Sequence, residues 1–108
     1  MSKRETWIIK SKHIKPNDFY VKVNGSDFYT AYWVTKAVNK EQARSLVMEA
    51  CEELDLGEVN IQEVIEFSGQ RIFGVLEIDL IIAAAIEKFS ASREAQLAAW
   101  VSSLGRRW

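Results

Sequence analysis

The chain has 108 residues, with 14 Lys+Arg against 15 Asp+Glu, 48% apolar residues, one Cys, one His and one Pro. That mixture excludes a disordered acidic tail, a collagen-like repeat and a low-complexity polymer, and the length suits one globular domain over residues 1–108 with its own core. One Cys and one His cannot supply four zinc ligands, so no structural zinc and no other metal or cofactor is expected.

The start is basic, but its apolar run is only Trp7-Ile8-Ile9 before Lys10, too short for a secretory signal. The same cluster predicts a strand over Thr6 to Lys12, followed by a turn at Ile14-Lys15-Pro16-Asn17-Asp18. Phe19, Val21 and Val23 alternate with Tyr20 and Lys22 as a half-buried strand would, and Asn24-Gly25 predicts a type I′ hairpin turn. The return strand, Phe28 to Val38, has Phe28, Thr30, Tyr32 and Val34 on one parity and Tyr29, Trp33 and Thr35 on the other, so it is expected at the centre of a sheet.

The period then changes. Ala43, Leu46, Val47, Ala50, Cys51 and Leu54 form one helical stripe, with Asn39 as N-cap, Gln42 as its capping-box partner and Gly57 as a left-handed stop. Glu58 to Phe67 reads as a strand, and Arg71 to Val75 as a short strand after the Ser68-Gly69 turn. Leu80 to Phe89, behind Asp79 as N-cap, reads as a helix buried on more than one side. Its longest uninterrupted apolar run, Leu80 to Ile86, is too short to span a bilayer, so no membrane association and a cytoplasmic location are expected. Leu97, Trp100, Val101 and Leu104 then predict a last helix. The order β-β-β-α-β-(β)-α-α predicts an α+β two-layer sandwich, with a mixed, mostly antiparallel sheet of four to five strands, helices on one face and a loosely ferredoxin-like character.

Catalytic constellations are sparse, and no enzymatic activity is expected. His13 lies at a strand end, where an exposed imidazole is the expectation, and Cys51 falls in the apolar stripe, where a thiol is buried and unreactive. Gly69 and Gly74 have P-loop spacing, but Val75 stands where the lysine must be. The acid pairs Glu63/Glu66 and Glu77/Asp79 have no basic residue at a nuclease or hydrolase spacing and read as surface carboxylates.

Charge is unevenly placed. Residues 1–40 carry a net +5, residues 41–94 a net −8 and residues 95–108 a net +2. Between Ser45 and Gln70 lie Glu49, Glu52, Glu53, Asp55, Glu58, Glu63 and Glu66, with no Lys or Arg. Four of them fall at the C-terminal end of the first predicted helix, where the dipole disfavours negative charge by about 0.3–1 kcal/mol per residue. Acids kept there against stability mark a partner-binding face, unless Lys22 or Lys36 folds over to neutralise them.

Three functions follow. The first is a non-catalytic binding module, an inhibitor of immunity or anti-defence type, that offers those seven acids to a basic protein partner such as a nuclease. The second is single-stranded nucleic-acid binding by Lys10, Lys12, Lys15, Lys22 and Lys36 interleaved with Trp7, Tyr20, Tyr29, Tyr32 and Trp33, although those aromatics equally suit a core. The third is a small-molecule sensor domain, for which no specific residues stand out. Arg106, Arg107 and Trp108 form a possible interface, and with the apolar Leu80 to Ile86 run they raise the possibility of a homo-oligomer or dimer.

Overall fold

The computed structural model describes residues 5–17, 21, 23, 25–67, 76–88 and 95–103. Its elements are β1 (Glu5–Ile14), β2 (Tyr29–Ala37), α1 (Lys40–Glu53), β3 (Glu58–Glu66), α2 (Leu76–Lys88) and β4 (Gln96–Ser102). The strands form one sheet in the order β3-β1-β2-β4 with every pairing antiparallel, so the α+β class with an antiparallel sheet of four strands is as the sequence predicts. β2 is internal, as its apolar residues on both parities require. The element order β-β-α-β-α-β differs from the β-α-β-β-α-β of the ferredoxin-like motif.

Successive strand residues point to opposite faces, and two clusters divide accordingly. On one face Ile9, Ala31, Trp33 and Trp100 pack with Ala43, Val47 and Cys51 of α1. Burying side chains such as Ile9 and Val47 stabilises this layer by about 1.5–3 kcal/mol each. α1 and the sheet are the sandwich expected from sequence. The other helix is placed differently: Ile82 of α2 packs with Ile8 and Val34, on the opposite face, so the helices do not share one side.

Two bulges let short strands serve both faces. Lys10 pairs with Glu63 and Ser11 with Ile61, which leaves Gln62 extra and turns Val59, Ile61 and Val64 toward the α1 cluster. Tyr32 pairs with Ala99 and Trp33 with Leu97, which leaves Ala98 extra in β4.

α1 begins as predicted. Asn39 Oδ1 accepts the Gln42 backbone N–H at 2.8 Å, and Gln42 Oε1 reaches back to accept the Val38 N–H at 2.7 Å, one residue beyond the usual capping-box target. Its end is different. Asp55 donates its N–H to the Glu52 carbonyl and Leu56 to the Cys51 carbonyl, a Schellman motif in which Asp55, at φ 52°, is the left-handed residue. Gly57, at φ 74°, serves another purpose: a Cβ there would lie 2.2 Å from the Ile14 carbonyl oxygen, so only glycine lets this turn rest on the end of β1.

Four expectations are corrected. Val21 and Val23 lie outside any strand, and β2 pairs with β1 over nine residues rather than with 19–23; the longer ladder joins Ile8 to Val34 and Ile9 to Trp33, burial that a five-residue hairpin arm cannot match. Residues 96–102 are a strand, not a helix, because the free edge of β2 offers a ladder that buries Ala99, Trp100 and Ser102. α2 starts at Leu76, so Asp79 lies inside the helix and does not cap it. Only one side of α2 meets the sheet: Ile82 is buried, while Leu80, Ala83 and Ala84 are exposed. The expected strand at residues 71–75 and the glycines at 69 and 74 lie outside the described residues. No helix among the described residues is long and apolar enough to cross a membrane.

Candidate functional site

The stripe that buries Ala43, Val47 and Cys51 turns Arg44, Ser45, Met48, Glu49, Glu52 and Glu53 outward. Helical spacing puts Glu49 and Glu53 on the flank of α1 beside Leu46, Ala50 and Ala95, and Arg44, Met48 and Glu52 on the flank beside β3. The Schellman turn then carries Asp55 onto the second flank. Between α1 and the start of β3 runs an open groove of about 600 Å³, with Leu56 and Val59 in its floor and Arg44, Met48, Glu52 and Asp55 among its walls. Glu49, Glu52 and Glu53 line a smaller concavity on the outer surface of the helix.

The last turn of α1 contains no basic residue. Lys36, one of the two lysines that could have neutralised it from the sheet, shares the parity of Tyr32 and Val34 and so projects from the face opposite α1. The other, Lys22, lies outside the described residues. Glu49, Glu52, Glu53 and Asp55 are exposed, and Glu58 follows as the exposed first residue of β3.

The remaining two predicted acids are elsewhere. Glu63 pairs with Lys10 on the face opposite α1, where its charge, after burial, helps to raise the Tyr32 phenol above its usual range. Glu66 lies at the far end of β3, roughly 25 Å along the strand from Glu58. The seven acids expected to form one face thus divide into five around the end of α1 and two apart. Arg106, Arg107 and Trp108 lie outside the described residues.

The basic aromatic set also divides. Tyr29 and Trp33 are buried in the α1 core, and half-buried Trp7 donates its indole N–H to the Ala37 carbonyl at 3.1 Å. Lys10, Lys12 and Tyr32 share the opposite face, where the Lys12 ammonium sits 4.4 Å above the Phe28 ring. Tyr20 is outside the described residues.

His13 corrects the expectation of an exposed imidazole: it is completely buried. Its Nε2 meets the Ser11 hydroxyl at 2.6 Å, and that hydroxyl accepts the Trp33 indole N–H at 2.9 Å. The ring lies tilted 5.2 Å from Trp100, which stacks on Tyr29. Burial drives the His13 pKa down to about 4, with the Leu56 backbone acting in the opposite direction. Cys51 is buried as expected, and desolvation pushes its thiol up to about 12, which leaves no thiolate for chemistry. Among the described residues no three His, Cys, Asp or Glu side chains come together as metal ligands would.

Sequence reasoning missed Met48 and Arg44 as neighbours of the acids. Their spacing of four residues on the polar side of the α1 stripe was the available signal. No family model matches this chain, and neither a curated protein nor a solved structure matches it.

Proposed function

We propose that the chain is a non-catalytic binding module that offers the C-terminal end of α1 to a basic protein partner. In this reading it is an inhibitor of the immunity or anti-defence kind whose target is a nucleic-acid enzyme such as a nuclease. The observation that carries the reading is Asp55: an acid held in a left-handed conformation at the negative end of a helix dipole, behind Glu49, Glu52 and Glu53 and with no cation in the last turn. Each of those placements opposes stability, and a partner's positive surface is what would reward them.

The mechanism is steering followed by occlusion. The carboxylates raise the encounter rate with a cationic cleft and stand where substrate phosphates would lie. Met48, 40% exposed between Arg44 and Glu52 on the groove wall, supplies an adaptable apolar contact at the centre of the charged rim. The single-strand reading ranks lower because Tyr29 and Trp33 are committed to the core and Glu63 stands beside Lys10. The groove is open and its charged walls, Arg44, Glu52 and Asp55, are exposed, which suits a protein surface better than an enclosed small molecule.

Carbodiimide coupling of a complex captured from the source cells tests this directly, since it joins carboxylates to lysines in contact. Bonds from Glu49, Glu52, Glu53 or Asp55 to partner lysines are expected. Coupling confined to Glu63 and Glu66, or a partner attached only through Lys10 and Lys12, would sink the proposal.

A further inference from the structure

β3 lies at an edge of the sheet, and among the described residues no strand pairs with its outer side. The Phe67 N–H bonds to the Thr6 carbonyl at 2.9 Å, which fixes the alternation of the β1–β3 ladder: Thr6, Ile8, Lys10 and Lys12 turn their backbone groups toward β3. The backbone N–H and C=O groups of Val59, Ile61, Val64 and Glu66 therefore point away from the sheet, two residues on each side of the bulge at Gln62. Every residue of β3 is at least partly exposed.

The same four residues share the α1 face: Val59, Ile61 and Val64 pack on the α1 cluster, and Glu66 stands opposite Trp7, which packs there too. Residues directly opposite each other in a sheet project on the same side, so the residues of an added strand that bond to Val59 and Ile61 would send their side chains into the groove between β3 and α1. Leu56 and Val59 make its floor apolar and Met48 lines a wall, while Glu52 and Asp55 bring negative charge. A lysine or arginine suits both, with its stem on the floor and its charge at the carboxylates. Arg44 is the one cation among the described residues that line the groove.

Charge decides which occupant this edge accepts. β3 contains Glu58, Glu63 and Glu66 and none of the Lys or Pro residues that commonly protect an edge. Of the three acids only Glu63 stands opposite a lysine, Lys10 of β1. A second copy paired along β3 would bring two sets of these glutamates together with no cation on either strand, which disfavours a dimer. β4, at the other edge, has no charged residue with which to select a partner.

We propose that β3 receives an extended, Lys/Arg-rich segment of the protein partner by strand addition, with alternate basic side chains entering the α1–β3 groove. The proposal deepens the binding function above and rests on it for the basic partner. Main-chain bonds to Val59, Ile61, Val64 and Glu66 supply affinity whatever the sequence of the segment, and Glu52 and Asp55 select cationic side chains at alternate positions.

Amide exchange in the native chain tests strand addition, with a capped peptide of alternating lysine and valine, as long as β3, for probe. At a peptide concentration about ten times its Kd, the amides of Val59, Ile61, Val64 and Glu66 are expected to exchange about tenfold more slowly than in the free chain. The same peptide N-methylated at its lysines keeps its charge but lacks the donors that face the edge, and should leave all four amides exchanging as before. The proposal is overturned if the unmodified peptide does not bind, if it binds and leaves the four amides unprotected, if it protects β4 instead, or if the methylated peptide protects the four equally well. Carbodiimide bonds from Glu49 or Glu53 to partner lysines, found together with unprotected β3 amides, would remove strand addition and leave the binding function standing.

Discussion

Trp33 and Ser11 are joined across β2 and β1 by an indole-to-hydroxyl hydrogen bond of 2.9 Å, with both residues sealed from solvent. The same hydroxyl serves His13 at 2.6 Å, so one small side chain satisfies two buried nitrogens. Ser11→Ala should therefore strand both at once. A buried polar group left unpaired costs about 1–3 kcal/mol, which for two groups sets a loss of about 2–6 kcal/mol, read from the urea midpoint.

Stability should depend on pH through His13, the only histidine in the chain. Burial holds its folded pKa near 4, below the 6.5 of an unperturbed imidazole, so the unfolded chain binds the proton first. The stabilisation is complete above pH 6.5 and is lost as pH falls toward 4, at about 1.4 kcal/mol per unit. Most of that window lies above the ordinary range of carboxylates. Urea denaturation at pH 7, 6 and 5 should show the slope in the native chain and lose it in His13→Gln.

Two neighbouring left-handed residues should respond oppositely to substitution. Gly57→Ala puts a methyl group against the Ile14 and Lys15 carbonyls in a conformation alanine resists, and should destabilise by more than about 1 kcal/mol. Asp55→Gly relieves the left-handed backbone of a residue with a Cβ and removes a carboxylate from the negative end of the dipole, and should stabilise by about 1 kcal/mol. Thermal unfolding of the two variants beside the native chain separates these outcomes.

The parts legible in the sequence were those fixed by neighbours within a turn or two. α1 followed from its three-and-four spacing and the Asn39–Gln42 cap, and the internal position of β2 from apolar residues on both parities. β4 was not legible: Leu97, Trp100 and Val101 have helical spacing, and the bulge at Ala98 erases the alternation that marks a strand. The burial of His13 was hidden for a different reason. It depends on Leu56, more than forty residues away, folding over the end of β1. Of the acidic run, local spacing could group Glu49, Glu52, Glu53 and Asp55, but only the course of β3 shows that Glu63 and Glu66 leave that group.

In the proposed function the acids at the end of α1 are kept for binding at the expense of stability. It is tested most directly by one variant, Glu49→Lys/Glu52→Lys/Glu53→Lys/Asp55→Lys, measured for both urea stability and partner capture from the source cells. Reversing charge at a helix C-terminus is worth about 0.3–1 kcal/mol per residue, so a chain at least as stable as the native one that no longer captures its partner is expected. A destabilised variant, or one that retains the partner unchanged, would contradict it.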